Sequence, residues 1–171
     1  MTTGYTHSQI QEFLDAAAGK APPHPTSADL KTAPVIARIA MAGTELGALL
    51  RLALKDRKRP ATFFLNPYIA LELMLGINEA AVRFNWWERI EGSKTKPLPD
   101  LTREDLEQAL YVLSIVTSSE PNGLLVRFAS REPFTFYMPR KFSADMASML
   151  KNIGDTATWW DENFVLMPKL N

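Results

Sequence analysis

Slid against itself by 76 residues, the chain aligns residues 26–54 with residues 102–130 without a gap. Thr26/Thr102, Asp29/Asp105, Leu30/Leu106, Ala33/Ala109, Ile39/Ile115, Gly47/Gly123, Leu49/Leu125, Arg51/Arg127 and Ala53/Ala129 are identical pairs. The turn Lys55-Asp56-Arg57-Lys58-Arg59 then stands against Arg131-Glu132, the offset falls to 73, and residues 60–88 align with 133–161. Pro60/Pro133, Thr62/Thr135, Phe63/Phe136, Trp86/Trp159 and Trp87/Trp160 are identical there. In all, 14 of 58 aligned positions match, where ordinary composition gives about four. Phe64/Tyr137, Leu65/Met138, Leu73/Met146 and Ile77/Leu150 add conservative pairs. Two like units this small must share a topology, and neither buries its apolar face well alone.

Each unit reads the same way. Thr-x-x-Asp-Leu resembles a capping box with Asp in place of Glu, opening a helical turn. Alternating apolar positions then predict strands over 35–41, 49–54 and 61–65 in the first unit, and over 111–117, 124–129 and 134–138 in the second. A helix follows at Asn66-Pro67, with proline suited to the first helical position, and near Pro139 in the second unit. Ile69, Leu73, Ile77, Ala80, Phe84 and Trp87 fall on one stripe of the first helix; Phe142, Met146, Leu150, Ile153, Ala157 and Trp160 do so on the second. By this spacing Trp87 faces the core and Trp86 is turned about 100° away from it.

Residues 6–18 predict a further amphipathic helix (Ile10, Phe13, Leu14, Ala17), closed by Gly19 and followed by the stiff Pro22-Pro23-His24-Pro25. The expected fold class is therefore α+β. It is a tandem duplication of a β-β-β-α unit, with antiparallel sheets covered by two amphipathic helices and an extra N-terminal helix. The boundaries are an arm over 1–25, a first repeat over 26–92, and a linker, second repeat and apolar tail over 93–171. The two repeats are expected to share one pseudo-symmetric domain.

Repeated meander-plus-helix units of this kind resemble the single-strand-binding folds built from duplicated ββββα modules. The resemblance implies a fourth strand in each unit, which the segment near residues 26–33 would have to supply.

Composition narrows the chemistry. Nineteen basic residues balance nineteen acidic ones, and the pI is near 6.7, so attraction to nucleic acid or anionic lipid has to come from a local patch. The absence of cysteine removes disulfides, thiolate metal sites and thiol nucleophiles. His7 and His24 are the only histidines, and both sit in the arm, a poor platform for catalytic geometry. Gly43-Thr44-Glu45-Leu46-Gly47 lacks the spacing of a phosphate loop. No apolar run approaches the roughly 20 residues of a membrane helix, and no leader pattern opens the chain. No catalytic residue, metal site or cofactor is assigned, no membrane contact is expected, and a soluble cytoplasmic protein is the default. Glu72 and Asp145 form a conceivable acid–base pair, but the solvated flanks of two helices are their ordinary setting.

The sharpest binding candidates are the repeated arginines. Alternation places Leu50, Leu52 and Leu54 on one face of a strand and Arg51 on the other, and likewise Val126 and Phe128 against Arg127. If Arg38, Phe64 and Tyr137 share the arginine face, it mixes guanidinium groups, rings and Thr62/Thr135, a composition suited to single-stranded nucleic acid. The bland alternative is a solvated face, or arginines neutralised by Glu45 and Glu132. Arg57, Lys58 and Arg59 in the inserted turn form either an anion contact or a charged hairpin tip.

The expected function is a non-catalytic binding or assembly module that contacts a protein partner or a second copy through its sheet face or apolar termini. The alternative is a single-stranded nucleic-acid binder using Arg38, Arg51, Arg127, Phe64, Tyr137 and the basic turn. A small-ligand pocket between the repeats is the third reading.

Overall fold

The computed structural model describes residues 24–43, 46–86, 107–130, 133–163 and 166. The expected arm helix, the linker, Trp87, Glu45 and Glu132 lie outside the described residues. A short helix α1 (Ser27–Thr32) precedes three strands, β1 (Ile36–Gly43), β2 (Ala48–Leu54) and β3 (Ala61–Leu65), and helix α2 (Pro67–Arg83). After β4 (Leu110–Tyr111) the order repeats as β5 (Ser114–Glu120), β6 (Gly123–Ala129), β7 (Phe134–Pro139), a 3-10 turn (Arg140–Phe142) and α3 (Ser143–Thr156). The protein is a mixed α+β fold with two sheets, and both halves run strand–strand–strand–helix.

The sheets are ordered β1-β2-β3-β4 and β5-β6-β7, antiparallel except where β4 runs parallel to β3. The implied fourth strand does not come from residues 26–33, because α1 occupies them. The chain leading into the opposite half provides the extra pairing instead. Tyr111 pairs with Phe64, and at the matching place Val35 bridges in parallel to Tyr137. Backbone bonds from Val112 to the Phe64 carbonyl (3.1 Å) and from Tyr137 to the Pro34 carbonyl (2.8 Å) fasten the two crossings. The first strand of each half therefore starts on its neighbour's sheet and finishes on its own. This is why 111–117 divides into β4 and a β5 that begins at Ser114.

The helices cross over as well: α2 packs on β5, α3 packs on β1, and the two helices touch. Leu50, Leu52, Leu54, Phe63, Val126, Phe128 and Phe136 meet Ile69, Leu73, Ile77, Met146 and Leu150 in one core drawn from both halves. Edge-on contacts between Phe63 and Phe128 (5.0 Å) and between Phe128 and Phe136 (5.2 Å) lock its centre. Such ring pairs contribute about 0.5–1.5 kcal/mol beyond the area they bury.

Helix α2 starts as its sequence dictates. The Asn66 side chain accepts a bond from the Ile69 N–H at 2.9 Å, and Pro67 fills the first turn. It ends earlier than the apolar stripe implies. Asn85 takes a left-handed φ of 53°, and its counterpart Thr158 takes 54° after α3. Each reversal stops the helix and drives the next residue, Trp86 or Trp159, into full burial. Helical spacing beyond Asn85 therefore does not apply, and Trp86 is a core residue rather than one turned away. Its Nε1 donates to the Pro121 carbonyl at 2.9 Å, under the β5–β6 turn of the other half. Trp160 is also buried, with its Nε1 donating to Asp155 at 2.9 Å.

Candidate binding surface

Register decides which side chains share the outer face of each sheet. Arg51 lies opposite Thr62 and Leu49 opposite Phe64 on one sheet; Arg127 lies opposite Thr135 and Leu125 opposite Tyr137 on the other. Arg38, opposite Ala53, continues the first face at its β1 edge. The arginines, rings and threonines do share a face. The sheets do not present it equally to solvent.

On the second sheet the face is occupied by the chain itself. Arg127 is half-buried, donates through Nε to the Thr135 hydroxyl at 2.9 Å, and pairs through Nη2 with Asp29 of α1 at 2.9 Å. Its acidic partner is thus Asp29 of the opposite half. The Asp29 carboxylate also accepts the Thr26 backbone N–H at 2.6 Å, closing the expected capping box. That backbone bond is the main cause that holds the Asp29 carboxyl below its usual range; desolvation opposes it, and the Thr26 hydroxyl and then Arg127 add smaller lowering effects. Beside it, the Tyr137 hydroxyl donates to Glu120. Burial first, then this bond and the carboxylate charge, push Tyr137 ionisation well above the ordinary tyrosine value.

On the first sheet Arg51 is half-buried and Arg38 exposed. Phe64 is buried, with its ring centroid 4.8 Å from that of Tyr111. Tyr111 itself is 62% exposed, and Leu46, next to the Gly47 that lies against the Phe64 ring, is 61% exposed. Leu46, Phe64 and Tyr111 thus form an apolar patch at one end of this face. The matching positions of the other half are Asn122, Tyr137 and Val35, with Glu120 engaging the tyrosine. One end of the fold is apolar where its counterpart is polar and internally bonded.

Arg57, Lys58 and Arg59 are exposed at the β2–β3 tip. The Arg57 guanidinium lies 5.8 Å from the centre of the Phe134 ring, so this cation rests on the second half. The patch and the tip sit at opposite ends of β3. Among the described residues no group of three or more His, Asp or Glu side chains is arranged to hold a metal ion, and no helix is long and apolar enough to cross a membrane.

Sequence reasoning missed Asp29, Leu46 and Tyr111 as surface-determining residues. The repeated identities Asp29/Asp105 and Arg51/Arg127 carried the signal for the first. Contrasting the repeats at Leu46/Asn122 and Val35/Tyr111, instead of seeking their likeness, carries the signal for the others. No protein-family model matches the chain, and no curated protein or solved structure matches it significantly.

Proposed function

We propose that the protein is a non-catalytic module that binds or assembles with another macromolecule, and that its first half presents the contact surface. One observation carries this reading: the exposed large apolar side chains are distributed unevenly between matching positions. Among the described residues these are Leu30, Leu46, Leu75, Val82 and Tyr111. Leu46, Leu75 and Val82 match Asn122, Ser148 and Asp155, while Tyr111 lies on the first sheet where Val35 lies on the second. Leu46 and Tyr111 lie at one end of the outer face of the first sheet, and Leu75 and Val82 on the outer face of α2; exposed apolar patches of this kind support an interaction role. Asp29, Tyr137 and Asp155, whose ionisation is displaced, are each tied to a partner within the fold, and Tyr68 is raised by burial and the Glu72 charge. A cytoplasmic setting is part of the proposal.

The test exchanges residues between the halves. Leu46→Asn with Tyr111→Val places on the first sheet the side chains found at the matching places of the second. The variant should keep its melting temperature and lose the proteins cross-linked to the wild-type chain in its own cells. An unchanged cross-linking pattern would defeat the reading.

A second reading, single-stranded nucleic-acid binding, is favoured by the exposed Tyr111 ring and the Arg57, Lys58 and Arg59 tip. A base stacked on such a ring contributes about 1–3 kcal/mol. Titration of a fluorescent oligonucleotide at two salt concentrations separates the readings. Salt-dependent binding lost in Tyr111→Val supports nucleic acid, and no binding at low salt eliminates it.

A further inference from the structure

Helix α2 carries a stripe that starts in the core at Leu71 and runs outward to solvent at Leu75 and Val82. Leu71, Leu75, Asn78 and Val82 follow one another at steps of four, three and four, the spacing of a coiled-coil seam. Leu71 forms the buried root, Asn78 is half-buried, and Leu75 and Val82 are 43% and 70% exposed. Along one flank stand the exposed carboxylates of Glu72 and Glu79, while Met74 and Ala81 on the other flank are buried in the core. Arg83, the cation at the end of this helix, lies over the Phe84 ring at 5.3 Å.

The second half provides an internal control. The same positions of α3 are Ala144, Ser148, Lys151 and Asp155, and there Lys151 and Asp155 satisfy each other at 2.5 Å. That is a helix face suited to water. The α2 face has the same place in the fold and opposite chemistry.

We infer that the α2 stripe docks an amphipathic helix of a partner protein whose leucine-class seam is flanked by lysine or arginine. This rests on the reading of the first half as the contact surface and names its partner. Charge chooses the occupant. A second copy packed antiparallel in the register that sets Glu72 opposite Glu79 brings carboxylates together, which opposes association. A basic flank instead gains two ion pairs while its apolar seam covers Leu75 and Val82. Asn78 in the seam sets the register of the docked helix.

The probe is a synthetic helix of about 18 residues, long enough to hold helical structure on docking, with leucines on one seam and lysines beside it. Its control replaces lysine by glutamate. Fluorescence anisotropy with the full chain should show saturable binding of the lysine peptide alone. Leu75→Ser with Val82→Asp, the residues of α3, should weaken it by about tenfold or more, close to 1.4 kcal/mol. Glu72→Lys with Glu79→Lys should transfer preference to the glutamate peptide. Circular dichroism of these surface variants should match the wild type. Equal binding of both peptides, or no loss in either variant, overturns the inference. So does a wild-type dimer that Leu75→Ser with Val82→Asp dissociates, because the stripe then belongs to a second copy. If the stripe variants bind normally while Leu46→Asn with Tyr111→Val loses its partners, this inference falls and the broader reading stands; if neither pair matters, both fall.

Discussion

The Arg127 guanidinium of the second half stands 2.9 Å from the Asp29 carboxylate of the first. Arg127 also holds Thr135, and Asp29 holds Thr26, so four residues that recur in both repeats meet across the boundary between them. In this set they dock one half on the other; the matching Asp105 lies outside the described residues. A repeated arginine opposite large aliphatic residues reads equally well as a ligand contact, and only the position of α1 tells the two apart.

The Asp29 carboxylate, held first by the Thr26 backbone N–H and to a smaller extent by Arg127, should make the fold acid-sensitive. The Asp29 carboxyl is lowered from its usual value, so its contribution is complete above the unfolded value near 3.9 and is lost as pH falls through the lower folded value. Arg127→Met should therefore melt below the wild type at neutral pH, with the gap closing in acid. Thermal melts at neutral pH and at about pH 2, below the usual carboxylate range, read this directly. A gap that persists in acid would assign the loss to packing alone.

Gly47 and Gly123 recur for a different reason. A Cβ on either would collide with a neighbouring carbonyl, Leu65 or Met138, and with the aromatic ring beside it, Phe64 or Tyr137. Gly47→Ala and Gly123→Ala should each cost about 1–3 kcal/mol, the usual penalty of overpacking. Urea unfolding at constant slope would measure it. A neutral result at both sites would mean that β2 and β6 shift freely beneath their rings.

Most of the fold was legible because periodicity is local. The two meanders, the proline-led α2, the apolar stripes and the capping box at Thr26 follow from neighbours a few residues apart. The crossings were not, because Tyr111 with Phe64 and Val35 with Tyr137 join segments whose own pattern matches any strand. The placement of Trp86 failed for a similar reason: one left-handed residue, Asn85, cancels the helical phase on which it rested. Trp160 is buried as its stripe implies. For the surface, alternation placed Arg51, Arg127, Phe64 and Tyr137 on the outer faces. It carried no information on what lies above those faces, so the Arg127–Asp29 contact stayed hidden.

Trp86 and Trp159 are matching, fully buried indoles with unequal hydrogen bonding. Trp86 donates to the Pro121 carbonyl, while Trp159 Nε1 meets no acceptor among the described residues. Either residue changed to Ala should cost about 3–5 kcal/mol. Changed to Phe they should differ: Trp86→Phe loses a hydrogen bond of about 0.5–1.5 kcal/mol, whereas Trp159→Phe removes an unmet donor. Chemical denaturation should rank Trp86→Phe as the less stable variant. The reverse order would place the cost in ring volume instead.

Among the described tyrosines Tyr137 should resist alkali most strongly, ahead of Tyr68, which burial and the Glu72 charge also raise. Burial disfavours the Tyr137 phenolate, and Glu120 adds both a hydrogen bond to the neutral form and a negative charge beside it. A phenol whose folded value is raised contributes stability fully below the unfolded value near 10, and the contribution is lost as pH rises through the folded value. Ultraviolet titration of the wild type should therefore leave a fraction of tyrosine un-ionised until the chain unfolds in strong alkali. In Tyr137→Phe that resistant fraction should shrink, with a stability cost of about 1 kcal/mol at neutral pH. Glu120→Gln keeps an acceptor and removes the charge, so the resistant step should move to lower pH without vanishing, since burial is the larger cause. An unchanged step in Glu120→Gln would remove the carboxylate charge as a cause and leave desolvation and the hydrogen bond.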